Sequence, residues 1–225
     1  MAAISEIPKR EELGSLARGR GNVYKFLASC YLGEPSVEQI ETLLNPAFQE
    51  NLRQIVNGPH VRLLKDFARS FHGNHSELQI EYNSLFVVPL AKYVKPYESA
   101  YRQGLAGAGI SRDVARYYRS FGAEVAADYS DLPDHLGTEL DFMHFLCERE
   151  SESWAEGKTE TATANLAGEN GFLEHHLTQW LDQVCQEVQI KSETGFYRAI
   201  AGITRDFVYN DQNTIRVLLE AAEQP

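Results

Sequence analysis

The chain has 225 residues, 43% of them hydrophobic and 24% charged, and its 32 Asp and Glu against 21 Lys and Arg give a net charge of −11. That length suits one domain, or two small lobes on a shared core, and the composition excludes a disordered chain. The acidic balance, with no Lys/Arg cluster, lacks the electrostatic footprint of a nucleic-acid binder and favours cationic partners instead.

The opening MAAISEIPKREEL is charged by Glu6 and holds no apolar run of signal-peptide length, so no export signal is expected. The longest uncharged stretch, 82–91, is half of the about twenty residues a membrane span needs. A soluble cytoplasmic protein without stable membrane insertion is the expectation. Cys30, Cys147 and Cys185 are odd in number, far apart and in no CxxC pair, which argues against a disulfide or zinc framework and predicts three core thiols.

Apolar residues recur at helical spacing almost throughout. Residues 14–31 carry Val23, Phe26, Leu27, Cys30 and Tyr31 before Gly33 and Pro35 stop the run. Ser36 can cap a short helix with Ile40, Leu43 and Leu44, closed by Asn45-Pro46. Residues 59–72 present Val61, Leu64, Phe67, Ala68 and Phe71, with Pro59 where a first-turn proline is tolerated. The stretch 77–88 continues through Leu78, Tyr82, Leu85 and Phe86 until Pro89 breaks it, and 89–110 reads as an irregular loop of the kind that often carries function. Ser111 then reads as the N-cap of a helix with Val114, Tyr117, Tyr118 and Phe121, closed by Gly122.

Residues 123–130 read as a linker and possible hinge between two helical lobes. The strongest helix is expected to open at Asp131 as cap, with Pro133 in its first turn and Leu136, Leu140, Met143 and Cys147 as its stripe to about Trp154. Phe172, His176, Leu177, Trp180, Leu181 and Val184 keep the same period, as do Tyr197, Ile200, Ile203 and Phe207 in the tail after Gly195. No alternating strand pattern or tight hairpin turn occurs, so the class is all-α, a single helical domain over 1–225.

Few motifs carry chemistry. No GxSxG, P-loop lysine or distinctive cysteine context occurs, and the glycines of GLAGAGISRD read as a flexible loop. His175 and His176 are adjacent, about 100° apart on a helix, so one is expected at the surface and one in the core. Asp134 and His135 fall at the start of the long helix, where the macrodipole favours an ionised Asp beside a neutral His. That pair can accept from a cation, or Asp134 can merely cap while His135 packs. Tyr82, Phe86, Tyr93, Tyr97 and Tyr101 crowd within twenty residues. Tyrosine suits a surface with one apolar and one wet side, and the net charge adds a preference for a partly apolar, partly cationic segment.

The order EYNSLFVVPLAKYVKPYESAYR, a helix with Val114, Tyr117 and Gly122, then DLPDHLGTELDFMHFLCERE resembles the TorD/DmsD/NarJ family of redox-enzyme maturation chaperones. Tyr82, Leu85 and Phe86 match its Y-x-x-L-F element. Pro96, Tyr97, Ser99 and Tyr101 match its Pro-aromatic-x-Ser-x-Tyr segment, and Pro133, Asp134, His135, Leu136, Phe142 and Met143 match its Pro-x-Asp-His stretch. FLEHHLTQWL is similar to the family's helix ending in His-Leu and Trp, and the LDFMHFLC run lies nearer the TorD side.

The resemblance implies an all-helical fold of about ten helices, no cofactor and no catalysis. It also implies that the protein binds the twin-arginine signal peptide of a molybdenum-cofactor oxidoreductase catalytic subunit and holds that enzyme until it is folded and loaded. Peptide-binding roles carry over to Pro96, Tyr97, Asp134 and His135, with Glu98 and Ser99 as neighbours. The peptide's apolar part is then expected on Tyr82, Phe86, Tyr97 and Tyr101, with an arginine paired to Asp134 or Glu98. Two alternatives stand beside this: a nitrate-reductase-type chaperone whose client is not exported, and a metal-dependent hydrolase on His135, Glu139 and His144. A monomer is expected, with a helix-swapped dimer possible through the 123–130 hinge.

Overall fold

A computed structural model describes residues 10–46, 48–50, 59–71, 73–102, 105–126 and 129–222. Its described residues form ten α-helices with two short helical turns and no strand. In chain order these are α1 (Arg10–Leu32), α2 (Val37–Leu44), α3 (Pro59–Ser70), α4 (His75–Tyr82), a π-helical turn (Asn83–Val87), α5 (Glu98–Tyr101) and α6 (Leu105–Ser120). They continue with α7 (Leu136–Ala155), α8 (Thr159–His175), a 3-10 turn (Leu177–Gln179), α9 (Leu181–Lys191) and α10 (Gly195–Ala222). No helix among the described residues is long and apolar enough to cross a membrane.

The all-helical class follows the sequence expectation, and so do several boundaries. Ser36 and Gln39 close a reciprocal capping box on α2, with Gln39 N–H donating to Ser36 Oγ and Ser36 N–H to Gln39 Oε1. Gly122 ends α6 at φ +76°, a conformation glycine adopts without steric cost, while Ala123 N–H reaches back to the Tyr118 carbonyl. All three cysteines are buried, His175 is exposed and His176 is buried.

Four expectations are corrected. α6 begins at Leu105 rather than at a cap on Ser111, because Ile110 extends the buried stripe of Val114 and Tyr118 one turn back. α7 begins at Leu136 with His135 as its N-cap, so Asp131 and Pro133 lie in the bend and turn that lead into it. The segment 89–110 contains α5 and the first turns of α6. The 77–88 helix starts at His75 and widens into a π turn from Asn83. His72, the last residue of the expected 59–72 helix, and residues 127 and 128 of the expected hinge lie outside the described residues.

The centre of the fold is the packing of α1 on α7. The pair approach closely where each helix has a glycine: a Cβ at Gly21 of α1 would sit 3.1 Å from Cys147 Cβ, and one at Gly137 of α7 would sit 2.6 Å from Leu32 Cγ. Leu13, Ala17, Tyr24, Leu27 and Tyr31 run down the buried stripe of α1, and Arg20 occupies the same stripe. Its guanidinium is the hub of four helices. Nε donates to Asp211 of α10 at 2.6 Å, Nη1 to Glu150 of α7 at 2.7 Å, and Nη2 to Glu169 of α8. Tyr24 Oη donates to Asp211 at 2.8 Å and Trp154 Nε1 to Glu150 at 2.9 Å.

Three buried carboxyls around one cation leave negative charge in excess. Burial holds the Glu169 acid well above the carboxylate range, against the pull of Arg20 and with Glu150 and Asp211 adding to the rise. A carboxyl raised on folding contributes stability that is full below its unfolded pKa and is lost as pH rises through its folded pKa. Glu169→Gln, which keeps the shape and cannot ionise, should therefore melt no lower than the parent at pH 8. Arg20→Met, which strands the carboxylates, should cost about 3–5 kcal/mol by urea denaturation.

Candidate functional site

The approach to α7 crosses the loop before α5, and the crossing forms a two-sided joint. Tyr97 and His135 pair as an isolated antiparallel bridge: Glu98 N–H donates to the Asp134 carbonyl at 3.0 Å and Leu136 N–H to the Pro96 carbonyl at 2.8 Å. These bonds consume backbone groups that would otherwise extend α7 to Asp131, which is why the long helix starts late. His135 Nδ1 accepts from Gly137 N–H at 3.1 Å and caps α7, while the Tyr97 ring meets the imidazole edge-on at 5.5 Å. Asp134 Oδ2 accepts from Ser99 N–H at 2.9 Å, so the aspartate supports the first turn of α5 across the joint rather than capping its own helix.

Glu98 lies beneath the joint with no exposed surface. Its carboxylate accepts from Arg102 Nη1 at 2.6 Å and sits 3.0 Å from His176 Nδ1, tying α5 to the end of α8. Arg102 also donates to the His175 carbonyl at 2.9 Å. Glu139, one turn into α7, accepts from Trp180 Nε1 at 3.2 Å, and Tyr101 stacks on the same indole at 5.6 Å. Burial, with Glu98 close by, pushes the Glu139 acid well above the carboxylate range.

The sequence-predicted residues are thus gathered into one region at different depths. Pro96, Glu98, Asp134 and His135 are buried. Tyr82 and Phe86 are buried as well, among Tyr31 and Tyr197, and Tyr82 Oη donates to the Tyr31 carbonyl. Tyr97, Ser99 and Tyr101 are half-buried. Tyr97 reaches the surface beside Asp131, whose carboxylate joins burial in raising the phenol's pKa. Tyr82 is pushed up to about 12 by burial and by Glu34. Tyr129, bonded through its hydroxyl to Thr138 at 2.7 Å, and the exposed Glu34 and Asp131 complete an aromatic and acidic face.

His135, Glu139 and His144 do not converge. His135 faces Gly137, Glu139 faces Trp180, and His144 Nδ1 pairs with the Gly21 carbonyl at 3.0 Å. Among the described residues no group of three or more His, Cys, Asp or Glu could hold a metal ion.

Sequence reasoning missed three anchors. Arg20 was legible, as a charged residue in phase with the apolar stripe of α1. Glu81 was not: it accepts from Ser192 Oγ, Glu193 N–H and Thr194 N–H at 2.7–2.9 Å and holds the entry to α10, a pairing across more than a hundred residues. The Glu98–His176 contact spans 78 positions of sequence and has no local signal either.

Burial lowers the His135 pKa below its ordinary 6.5, against the nearby Asp131 and Asp134. The unfolded chain then takes up a proton before the folded one, so this contribution to stability is full above about pH 6.5 and is lost as pH falls through the folded pKa. His135→Asn keeps a capping acceptor and removes the titration. Its urea midpoint should change less between pH 7 and pH 5 than that of the parent.

A family model described as the nitrate reductase delta subunit matches residues 45–186. The perchlorate reductase assembly chaperone protein of Dechloromonas aromatica is 34% identical over 204 residues, covering 86% of this chain and 88% of that protein. The chaperone protein TorD of Vibrio parahaemolyticus is 24% identical over 200 residues, covering 85% and 92%. A crystal structure of a putative redox enzyme maturation protein from Archaeoglobus fulgidus aligns over 91% of this chain and 98% of that one, at 19% identity and a TM-score of 0.46.

Proposed function

The chain belongs to the nitrate reductase delta subunit family, and from that premise we infer that it binds the twin-arginine signal peptide of an oxidoreductase catalytic subunit and holds that subunit until it is folded and loaded with its molybdenum cofactor. It is a maturation chaperone and not a catalyst. The observation that supports signal-peptide binding is the joint itself. Two sequence segments far apart in the chain are clamped by the Tyr97–His135 bridge so that aromatic rings and carboxylates share one face.

A signal of this class carries a cationic pair followed by an apolar stretch. Tyr97 offers ring surface to the apolar part, and the exposed carboxylates Asp131 and Glu34 offer charge-assisted hydrogen bonds to guanidinium. Pro96, Glu98, Ser99, Asp134 and His135 act beneath them as positioning residues, because their polar groups already hold α5, α7 and α8 in register. Tyr82, Phe86 and Tyr101 support the same face from the core side. Fixing the face before the peptide arrives lowers the ordering cost of binding.

Calorimetric titration with the signal peptide of a co-encoded molybdoenzyme should give saturable 1:1 binding that weakens when both arginines are lysine. Tyr97→Ala should weaken binding about five- to tenfold, the scale of one aromatic anchor, with little change in melting temperature. No binding at high peptide concentration, or equal affinity for both peptides, would exclude recognition of the twin-arginine signal.

A further inference from the structure

Beside the joint, between the second half of α6 and the first half of α7, the surface sinks into a hollow of about 330 Å³. Leu32, Tyr118, Phe142 and Phe145 make its apolar wall, and Val125 and Ala126 run along its edge. On the other side of the 123–126 stretch lies a second hollow of about 320 Å³, which shares Tyr118, Val125, Ala126 and Tyr129 and extends to Asp131 and Pro133. The two are halves of one trough, and the second half ends at the Asp131–Tyr97 edge of the joint.

The trough's rim carries three acids against one base, Arg119. Glu124, Asp131 and Asp141 are all exposed, and among the described residues none lies within ion-pair reach of a Lys or Arg. Arg119 is exposed at the second hollow, and Arg149, outside both linings, is engaged elsewhere: it donates to the Phe121 carbonyl at 2.5 Å and lies over the Phe145 ring at 5.5 Å. An aromatic and aliphatic floor under three unmatched carboxylates is complementary to a segment whose apolar run follows a cationic pair. A second copy of this chain is a poor occupant, since each copy carries a net charge of −11.

We propose that the α6–α7 trough is where the client segment lies, its apolar run on Leu32, Phe142 and Phe145 and its cationic pair against Asp131, Asp141 and Glu124. The proposal rests on signal-peptide binding as put forward above and assigns it a seat lined by none of the peptide-binding residues expected from the sequence. Asp134 and Glu98 then fix the shape of the joint from below, and the exposed carboxylates of the trough meet the arginines.

The test uses the full chain and the twin-arginine signal peptide of a co-encoded molybdoenzyme, carrying a benzophenone in its apolar run. Photo-adducts are expected on 123–126 and 138–145, and adducts confined to other surfaces would overturn the proposal. Ala126→Trp fills the trough from an exposed position, and Asp131→Asn with Asp141→Asn removes rim charge without touching the core. Each should keep the parent's melting temperature. The first should weaken peptide binding about tenfold, and the second should also flatten its dependence on salt. If the parent binds and both variants bind equally well, the trough is not the seat and signal-peptide binding stands elsewhere on the chain. If the parent does not bind, both fall together. If the parent sediments as a dimer that Ala126→Trp dissociates, the trough is an interface between copies and the proposal is overturned.

Discussion

A single guanidinium organises the molecule. Arg20 projects from α1 into a space bounded by α7, α8 and α10, and each of those helices supplies it with a carboxyl group. A buried arginine without partners would be prohibitive, and a planar fork with five donors can satisfy three carboxyls at once. The cluster therefore specifies one arrangement of four helices more sharply than their apolar faces could. Leucines and phenylalanines tolerate a shift of half a turn, whereas this hydrogen-bond geometry does not.

Because α1 and α7 are locked at Arg20–Glu150 and by the close approach at Gly21, the start of α7 is a fixed point. The joint is built on that point. His135 caps α7 from one side, Asp134 reaches across to the first turn of α5, and Glu98 ties α5 back to His176 at the end of α8. Buried polar groups thus recur at each place where two distant segments must meet, and Glu81 at the entry to α10 is a third case. Glu98, held by Arg102 and His176, and Glu81, which accepts from Ser192, Glu193 and Thr194, order loops that apolar packing alone would leave free. The groups proposed to meet a partner are shallow ones, the Tyr97 ring and the carboxylates of Asp131, Asp141 and Glu124.

The helical period was readable because burial of one face repeats at i, i+3 and i+4 whatever lies opposite, and the stripes of α1, α2, α7 and α10 came directly from it. The family resemblance was readable for the same local reason, in short ordered motifs around Tyr82, Pro96 and Asp134. Helix starts fared less well. Asp131 has every mark of an N-cap, yet the Tyr97–His135 bridge takes up the backbone groups that would continue the helix to it. Ser111 has the same marks and lies inside α6, because the buried stripe gains another turn at Ile110.

The sequence by itself determined the all-helical class, the core stripes, the three buried thiols, the acidic surface and the motif order that places the chain in its family. These depend on residue type and on neighbours within a turn or two. Only the tertiary structure decided that Asp134 and Glu98 are buried supports, that Arg20 gathers three carboxyls, and that an aromatic trough with an acidic rim opens beside the joint. Those facts depend on contacts between residues dozens to nearly two hundred positions apart. A carboxylate's role is set by whether donors or water surround it, and that is settled only when the distant segments pack.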